Sequence, residues 1–426
     1  MDKDCHLIQP RQLKYVDNYS PAGGELALAS HCRGKMGVKN RRHYVLSMTV
    51  VAVVAALMVP GMLLVAPTGR AETTASWTFA IYVAADNSLE NYWDSTTLPF
   101  LQAVPPSDQV NLVVLLDEKT TSTTEILKVS GTTVTTVETY GEMNTGDPAT
   151  LTWWIDRATT LWPSTYFALM LWDHGYGWHY ICSDDTSASS IDMPELQGAI
   201  ANAGNMINVL EFDACDMGMI EVAYQVSLTN LVQYMVASEE YEAGDGLPLT
   251  TVLTPLVNNP SMLPRDLSIV MVDAYGALYT NTNGGKMTLA SIDVPQLKAT
   301  IGTFTTWSAR MLYLLPTYKT YYVAAVKATH YMSAIPSFLD LYDLGYHLLG
   351  TKGVTDTQLR TATANMQSAL QSYMVKFWGG PKMLDCKGIS FYWATYNDWY
   401  YDEVAYRQIA FAANTGWGNF LDAYNV

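Results

Sequence analysis

Hydrophobic positions in this chain fall into continuous runs rather than alternating ones, and each run ends on polar or glycine-rich residues. Residues 77–84 (WTFAIYVA), 110–116 (VNLVVLL), 166–172 (YFALMLW), 209–212 (VLEF) and 231–237 (LVQYMVA) all have strand length. A strand that is apolar at nearly every position is buried on both faces, as in a parallel sheet. Helical stretches separate the runs. One reaches about Ala103 and is ended by Pro105-Pro106, and another covers 148–161. Asp192-Met193-Pro194-Glu195 places a cap, an early proline and a reciprocal carboxylate at the start of a third. The same signal recurs at Asp293-Val294-Pro295-Gln296, after a strand at 287–292. This alternation predicts an α/β sandwich on a mainly parallel sheet. Residues 124–140 alternate apolar residues with threonine around Ser130-Gly131, which predicts a β-hairpin outside that sheet. From Thr303 to about Phe377 the pattern is helical and aromatic-rich, and strand character returns at 388–394. With no linker in view, 77–426 is expected to be one unit, an α/β core at 77–295 and a helical C-terminal part at 296–426.

Charge sets the first 71 residues apart. They hold nine of the 24 Lys and Arg but four of the 40 Asp and Glu, leaving 15 basic against 36 acidic residues, a net −21, in the rest. So acidic a domain repels nucleic acid and anionic membrane surfaces; solubility or a high-salt setting accounts for most of the charge. Residues 45–66 form the uncharged apolar run long enough to cross a bilayer. The basic lead-in of 1–44 puts the N-terminus in the cytoplasm and everything after the run outside. Residues 45–71 are then either a signal peptide, cleaved near Gly69-Arg70-Ala71, or a signal anchor interrupted by Pro60-Gly61. A start at Met36 would give a signal peptide of ordinary length. The protein is expected outside the cell, secreted or held at the surface. Membrane contact is confined to that segment if it stays uncleaved.

Of five cysteines, Cys5 and Cys32 precede the apolar run, and Cys182, Cys215 and Cys386 follow it. An odd count outside the cell leaves at least one thiol reduced. Either Cys182 pairs with Cys386, or all three remain thiols.

Cys215 stands out in VLEFDACDMGMIE, between a buried strand and a helical pattern opened by Gly218. A helix start favours thiolate over thiol, although a lone cysteine is more often a small buried hydrophobe. The 166–172 strand ends in Asp173-His174-Gly175-Tyr176-Gly177-Trp178. A polar loop and one helix separate the two strands, the length of a βαβ crossover. As parallel neighbours they would deliver His174 and Cys215 to one edge of the sheet, where open α/β sheets bind ligands. Such a pair is a nucleophile with a general acid. His179 also lies in the glycine loop, while His330 and His347 sit in helical apolar context and read as structural. No C-x-x-C, H-E-x-x-H, P-loop or Rossmann fingerprint occurs.

These blocks resemble the clostripain family of cysteine peptidases, which share the caspase-type fold with caspases, legumains and gingipains. The resemblance is carried by Asp173 to Trp178, Asp184 to Ser187 and Asp213 to Tyr224, more weakly by 288–293 and 388–392, and it covers about residue 77 to the C-terminus. It implies a caspase-like α/β/α sandwich and an endopeptidase that acts through a His174–Cys215 dyad and a thioester. Main-chain N–H groups near Gly175 and Cys215 would hold the oxyanion. It implies that Asp213, two residues before the nucleophile, lines the P1 pocket and favours Arg or Lys. A second acid is expected from the loop after residue 237: Glu239, Glu240 or Asp245. Some relatives require calcium, for which Asp184-Asp185 is a candidate without a recognisable loop spacing. Several mature by cutting themselves between the catalytic histidine and cysteine; no Lys or Arg occurs from 175 to 214, so a basic-specific enzyme should remain one chain. A monomer acting on protein or peptide substrates is expected. The competing readings are a peptidase of the same fold with non-basic specificity, and an exported binding or adhesion protein without catalysis. The second predicts loss of the dyad or its glycines.

Overall fold

A computed structural model describes residues 74–332 and 335–426. The apolar runs become strands in chain order: β1 (Ala75–Ala85), β2 (Val110–Glu118), β3 (Thr124–Ser130), β4 (Thr133–Thr139), β5 (Ser164–Trp172), β6 (Ile181–Asp184) and β7 (Ser189–Ile191). There follow β8 (Ile207–Asp213), β9 (Val232–Ala237), β10 (Thr288–Asp293), β11 (Tyr331–Met332), β12 (Ile335–Asp340), β13 (Met374–Gly379) and β14 (Ser390–Tyr392). Nine of them form one sheet in the order β13-β10-β9-β8-β5-β1-β2-β3-β4. The centre, β9-β8-β5-β1-β2, is parallel throughout. Both flanks are antiparallel.

Continuous hydrophobicity has its expected cause. Along β1, Ala80, Tyr82 and Ala84 pack into one core, with the helices Pro148–Leu161, Met193–Ala203 and Ile220–Ser227. The alternate residues Trp77, Phe79, Ile81 and Val83 pack into a second core on the other face, with Leu249–Asn258 and Pro264–Tyr279. A strand covered on both faces gains from apolar residues at every position. The helix starts also follow the sequence. Asp192 and Glu195 form a reciprocal capping box, and Asp293 accepts from the Gln296 N–H at 2.9 Å.

Two features depart from the sequence reading. The 124–140 hairpin belongs to the main sheet, where β3 pairs with β2 from Leu112↔Val129 to Asp117↔Thr124. It covers an edge that β2, apolar and buried, would otherwise leave unpaired, and the largely polar β4 closes the sheet. The mostly helical 296–426 part also holds more strand than the stretch expected at 388–394: besides β14 it carries β11, β12 and β13, and β13 returns to the main sheet beside β10. All six β13 residues are half-buried, and the strand follows the helix Thr357–Tyr373 without a break, so no change of period marks it.

A small sheet, β11-β12-β14, packs beside the loop that follows β8. The Ser390 N–H donates to the Gly218 carbonyl at 2.9 Å. Buried Glu221 accepts from the Tyr392 N–H at 2.8 Å and from the Tyr406 hydroxyl at 2.9 Å. Cys182 and Cys386 are separate buried thiols, not a disulfide. The expected export segment at 45–71 lies outside the described residues, among which no helix is long and apolar enough to cross a membrane.

Candidate active site

β5 and β8 are parallel neighbours, with Trp172 in register with Asp213. The Asp173 N–H continues the ladder, reaching the Asp213 carbonyl at 3.4 Å. His174 and Cys215, each two residues past that register pair, therefore leave the same edge of the sheet, and both are half-buried. Glycine is required between them. A Cβ on Gly175 would stand 2.5 Å from the Cys215 carbonyl oxygen, so a side chain there would push the histidine loop off the cysteine loop.

Cys215 lies in a turn five residues before the helix Ile220–Ser227, with Asp216 in the left-handed region at φ 61°. A helix terminus acts over about one turn, so at that distance it does not account for a thiolate. A nearer donor exists: the Glu242 N–H reaches Cys215 Sγ at 3.4 Å, and hydrogen bonding to the charged form favours it. His174 Nε2 lies 2.9 Å from the Ser88 hydroxyl. Asp173, buried, accepts from Asn87 Nδ2 at 2.6 Å and from the Ser183 N–H, fixing the base of the histidine loop to β6 and to the end of β1.

The acids expected around Asp213 take separate positions along the loop after β9. Residues 238–240 run antiparallel along the cysteine loop, with Gly218 N–H to Ser238 carbonyl at 2.6 Å and Asp216 N–H to Glu240 carbonyl at 3.2 Å. That ladder turns Glu239 toward β12 and Cys386, where it accepts from the Gly388 N–H at 3.0 Å beside Asp340. Glu240 is buried and accepts from the Tyr241 N–H at 3.1 Å. Asp213 is grouped with Glu211, two residues back on β8, and with Glu242, and carboxylate oxygens of all three lie within 4.8 Å of one another. Asp213 Oδ1 also accepts from the Leu247 N–H at 3.2 Å. Gly246, at φ 63°, lets that loop close on the Asp213 carboxylate, which a Cβ would strike. Glu211 is 1% exposed and neither of its oxygens has a hydrogen-bond partner. Burial first, and then neighbouring Asp213, push its pKa well above the carboxylate range.

The other candidates fall away from this chemistry. His179 stacks on Trp178 with ring centroids 3.8 Å apart, and burial holds its pKa low. Cys182 is fully buried, and burial pushes its thiol up, opposite to what a nucleophile needs. His347 Nε2 lies 3.4 Å from Asp343 one helical turn away. The pair Asp184-Asp185 is split: Asp185 binds Lys119 at the surface at 2.5 Å, while Asp184 joins Asp86, Asp117 and Glu142. Sequence reasoning missed Ser88, Asn87, Glu211 and Glu242. The first two carried a signal, since they follow the end of a central strand as His174 and Cys215 do. Glu211 interrupts an apolar run with a charge, which was also visible. Glu242 is placed by a loop and had none.

A sequence profile of the clostripain family matches residues 81–424. Comparison with curated proteins yields no match. Among solved structures, a secreted C11 cysteine protease from Bacteroides thetaiotaomicron in complex with an irreversible peptide inhibitor is 18% identical, with TM-score 0.63 over 80% of this chain and 99% of its own. An inactive zymogen C11 protease from Parabacteroides distasonis is 19% identical, with TM-score 0.64 over 80% of this chain and 99% of its own. At such identities the likeness is one of fold, the mainly parallel sheet between two helical layers.

Proposed function

This chain belongs to the clostripain family and is a cysteine-type peptidase, and from that premise we propose an exported endopeptidase that cuts after Arg or Lys through a His174–Cys215 dyad. The Cys215 thiolate attacks the scissile carbonyl carbon. The oxyanion that forms accepts from main-chain N–H groups at Gly175 and Cys215, donors worth typically about 10² to 10³ each in rate. His174 gives its proton to the leaving amine as the C–N bond breaks, leaving a thioester. It then takes a proton from the water that hydrolyses the thioester, releasing the acid and restoring the thiolate beside a protonated His174.

The observation that carries the specificity is the group of three carboxylates, Glu211, Asp213 and Glu242, beside the nucleophile. A basic P1 side chain entering there gains charge-assisted hydrogen bonds and relieves the crowding of acids. Export is supported by the apolar run at 45–66 and its basic lead-in; the similar Bacteroides protein is described as secreted. The substrates are then proteins or peptides outside the cell.

The test is a panel of fluorogenic peptides differing at P1, with Cys215→Ala and His174→Ala beside the wild type. Cleavage confined to Arg and Lys, and abolished in both folded variants, is expected. Full activity in Cys215→Ala would refute the dyad. Equal cleavage after Arg and Leu would refute only the specificity.

A further inference from the structure

Glu211 sits in the middle of the parallel sheet, in register with Met170 of β5 and Val236 of β9. It follows Val209 by two positions and so lies on the face of the second core. There it is 1% exposed, and neither of its carboxylate oxygens meets a hydrogen-bond donor. What its carboxylate does meet, within 4.8 Å, are the carboxylates of Asp213 and Glu242.

The other titratable groups turned toward this pair are acidic, phenolic or thiol. Glu242 and Asp245 come from the loop after β9, and Cys215 approaches that loop at the Glu242 N–H. Tyr275 and Tyr279 come from the helix Pro264–Tyr279, where burial first and then the acids raise both phenols. Both hydroxyls are engaged with the loop. Tyr279 donates to the Gly246 carbonyl at 2.7 Å, and Tyr275 accepts from the Ala243 N–H at 3.4 Å. Two carboxylates pressed together out of water do not both ionise unless a cation joins them. Left ionised and unpaired, a buried carboxylate such as Glu211 is costly, and keeping a proton removes that cost.

We infer that Glu211 and Asp213 share one proton in the empty enzyme, and that an entering guanidinium or ammonium group displaces it to solvent. This rests on the basic P1 specificity proposed above. On binding, the carboxyl O–H breaks, its proton passes to water or buffer, and the cation takes its place as the counter-ion of two carboxylates. Glu211 is thus a specificity residue whose charge appears only with the right substrate. Binding then carries a pH dependence that belongs to the pocket and not to the dyad. Below the pH at which the empty pair titrates, each unit of acidity weakens a cationic side chain up to about tenfold; above it, affinity is level.

The test uses n-butylguanidinium, a mimic of the arginine side chain, on the intact enzyme. Its competitive Ki against an Arg peptide is followed from pH 5.5 to 8.5. Binding calorimetry at pH 6 in phosphate and in ACES, whose ionisation heats differ, counts the protons released. About one proton per ligand is expected, with Ki tightening close to tenfold per pH unit at the acid end and levelling at the alkaline end. Glu211→Gln has an amide of similar size with no proton to give up, so it should release none and flatten the Ki profile. Should that variant fail to fold, the wild-type proton count decides. Wild-type binding without proton release, or the same release from Glu211→Gln, would overturn the shared proton and leave the basic pocket standing. No inhibition by butylguanidinium, together with equal cleavage after Arg and Leu, would overturn the pocket itself and the proton with it.

Discussion

The Ser88 hydroxyl lies 2.9 Å from His174 Nε2, and Ser88 comes from the end of β1 rather than from either strand that carries the dyad. The histidine loop is thus steadied by a third element, through a contact to the imidazole nitrogen Nε2, which would hold a proton in the proposed mechanism. Removing the hydroxyl with Ser88→Ala is expected to lower kcat about 2- to 10-fold with little change in KM, the value of one ordinary hydrogen bond. The imidazolium loses an acceptor, so the alkaline limb of the pH–rate profile should move to lower pH. Steady-state kinetics from pH 5 to 9 on an Arg peptide checks both, and an unchanged profile would show that the hydroxyl plays no part.

No Lys or Arg occurs between Gly175 and Ala214, a stretch that includes β6, β7 and the crossover helix. A basic-specific enzyme cannot cut itself there. Intact-mass analysis after prolonged active incubation should find no break between His174 and Cys215. A break that disappears in Cys215→Ala would contradict the basic specificity.

Stability should fall as pH rises. Burial raises Asp340 and Glu221 to about 7 each, and pushes Glu239 well above the carboxylate range. Each holds its proton in the folded chain at a pH where the unfolded chain, near the usual 4 to 4.5, has lost it. Their stabilisation is therefore complete below about pH 4 and is lost as pH climbs through about 7. His179, kept neutral by burial, works in the opposite direction below about pH 6.5, against these three and other raised carboxyls, Asp402 and Glu211 among them. The melting midpoint should be several degrees lower at pH 8 than at pH 5.5. Glu239→Gln, whose amide mimics the protonated carboxyl beside Asp340, should raise the midpoint at pH 8 and change it little at pH 5.5. An equal shift at both pH values would show that the effect is not protonic.

How much of this was legible in the sequence depended on the kind of signal. Continuous runs such as VNLVVLL and YFALMLW announced buried parallel strands because the same residues must satisfy two cores. The capping residues Asp192 and Asp293 marked helix starts through local hydrogen bonds that need no tertiary context. His174 and Cys215 were readable because both follow strand ends, and strand ends define an edge. β13 was hidden because its half-buried residues carry no clear period. Glu242 was hidden because an irregular loop fixes it. The ladder between 216–218 and 238–240 decides that Glu239 faces one way while the chain carries Glu242 to Asp213, and nothing in the sequence of that loop states its register.

The last expectation concerns the acids beside Cys215. Asp213 is held by the Leu247 N–H, Glu242 is tied to the nucleophile by its own N–H, and Glu211 lies deepest, with both oxygens lacking partners. A guanidinium has a planar fork that can bond two carboxylates at once, whereas an ammonium acts as a point charge. Loss of one charge-assisted contact costs about 1.5–3 kcal/mol, or one to two powers of ten in kcat/KM if the contact is realised in the transition state. Asp213→Asn should therefore reduce cleavage after both Arg and Lys by that factor, with a smaller loss on Gln or Leu. Glu242→Gln keeps the N–H to Cys215 and should cost Arg more than Lys. Glu211→Gln separates two roles. If its carboxylate receives the far end of the side chain, Arg suffers; if it serves only to crowd its neighbours, removing its charge leaves Arg unaffected or improved. Matched Arg, Lys, Gln and Leu peptides on the wild type and the three variants decide this. Parallel losses on all four substrates would mean that the acids hold the loop rather than the substrate.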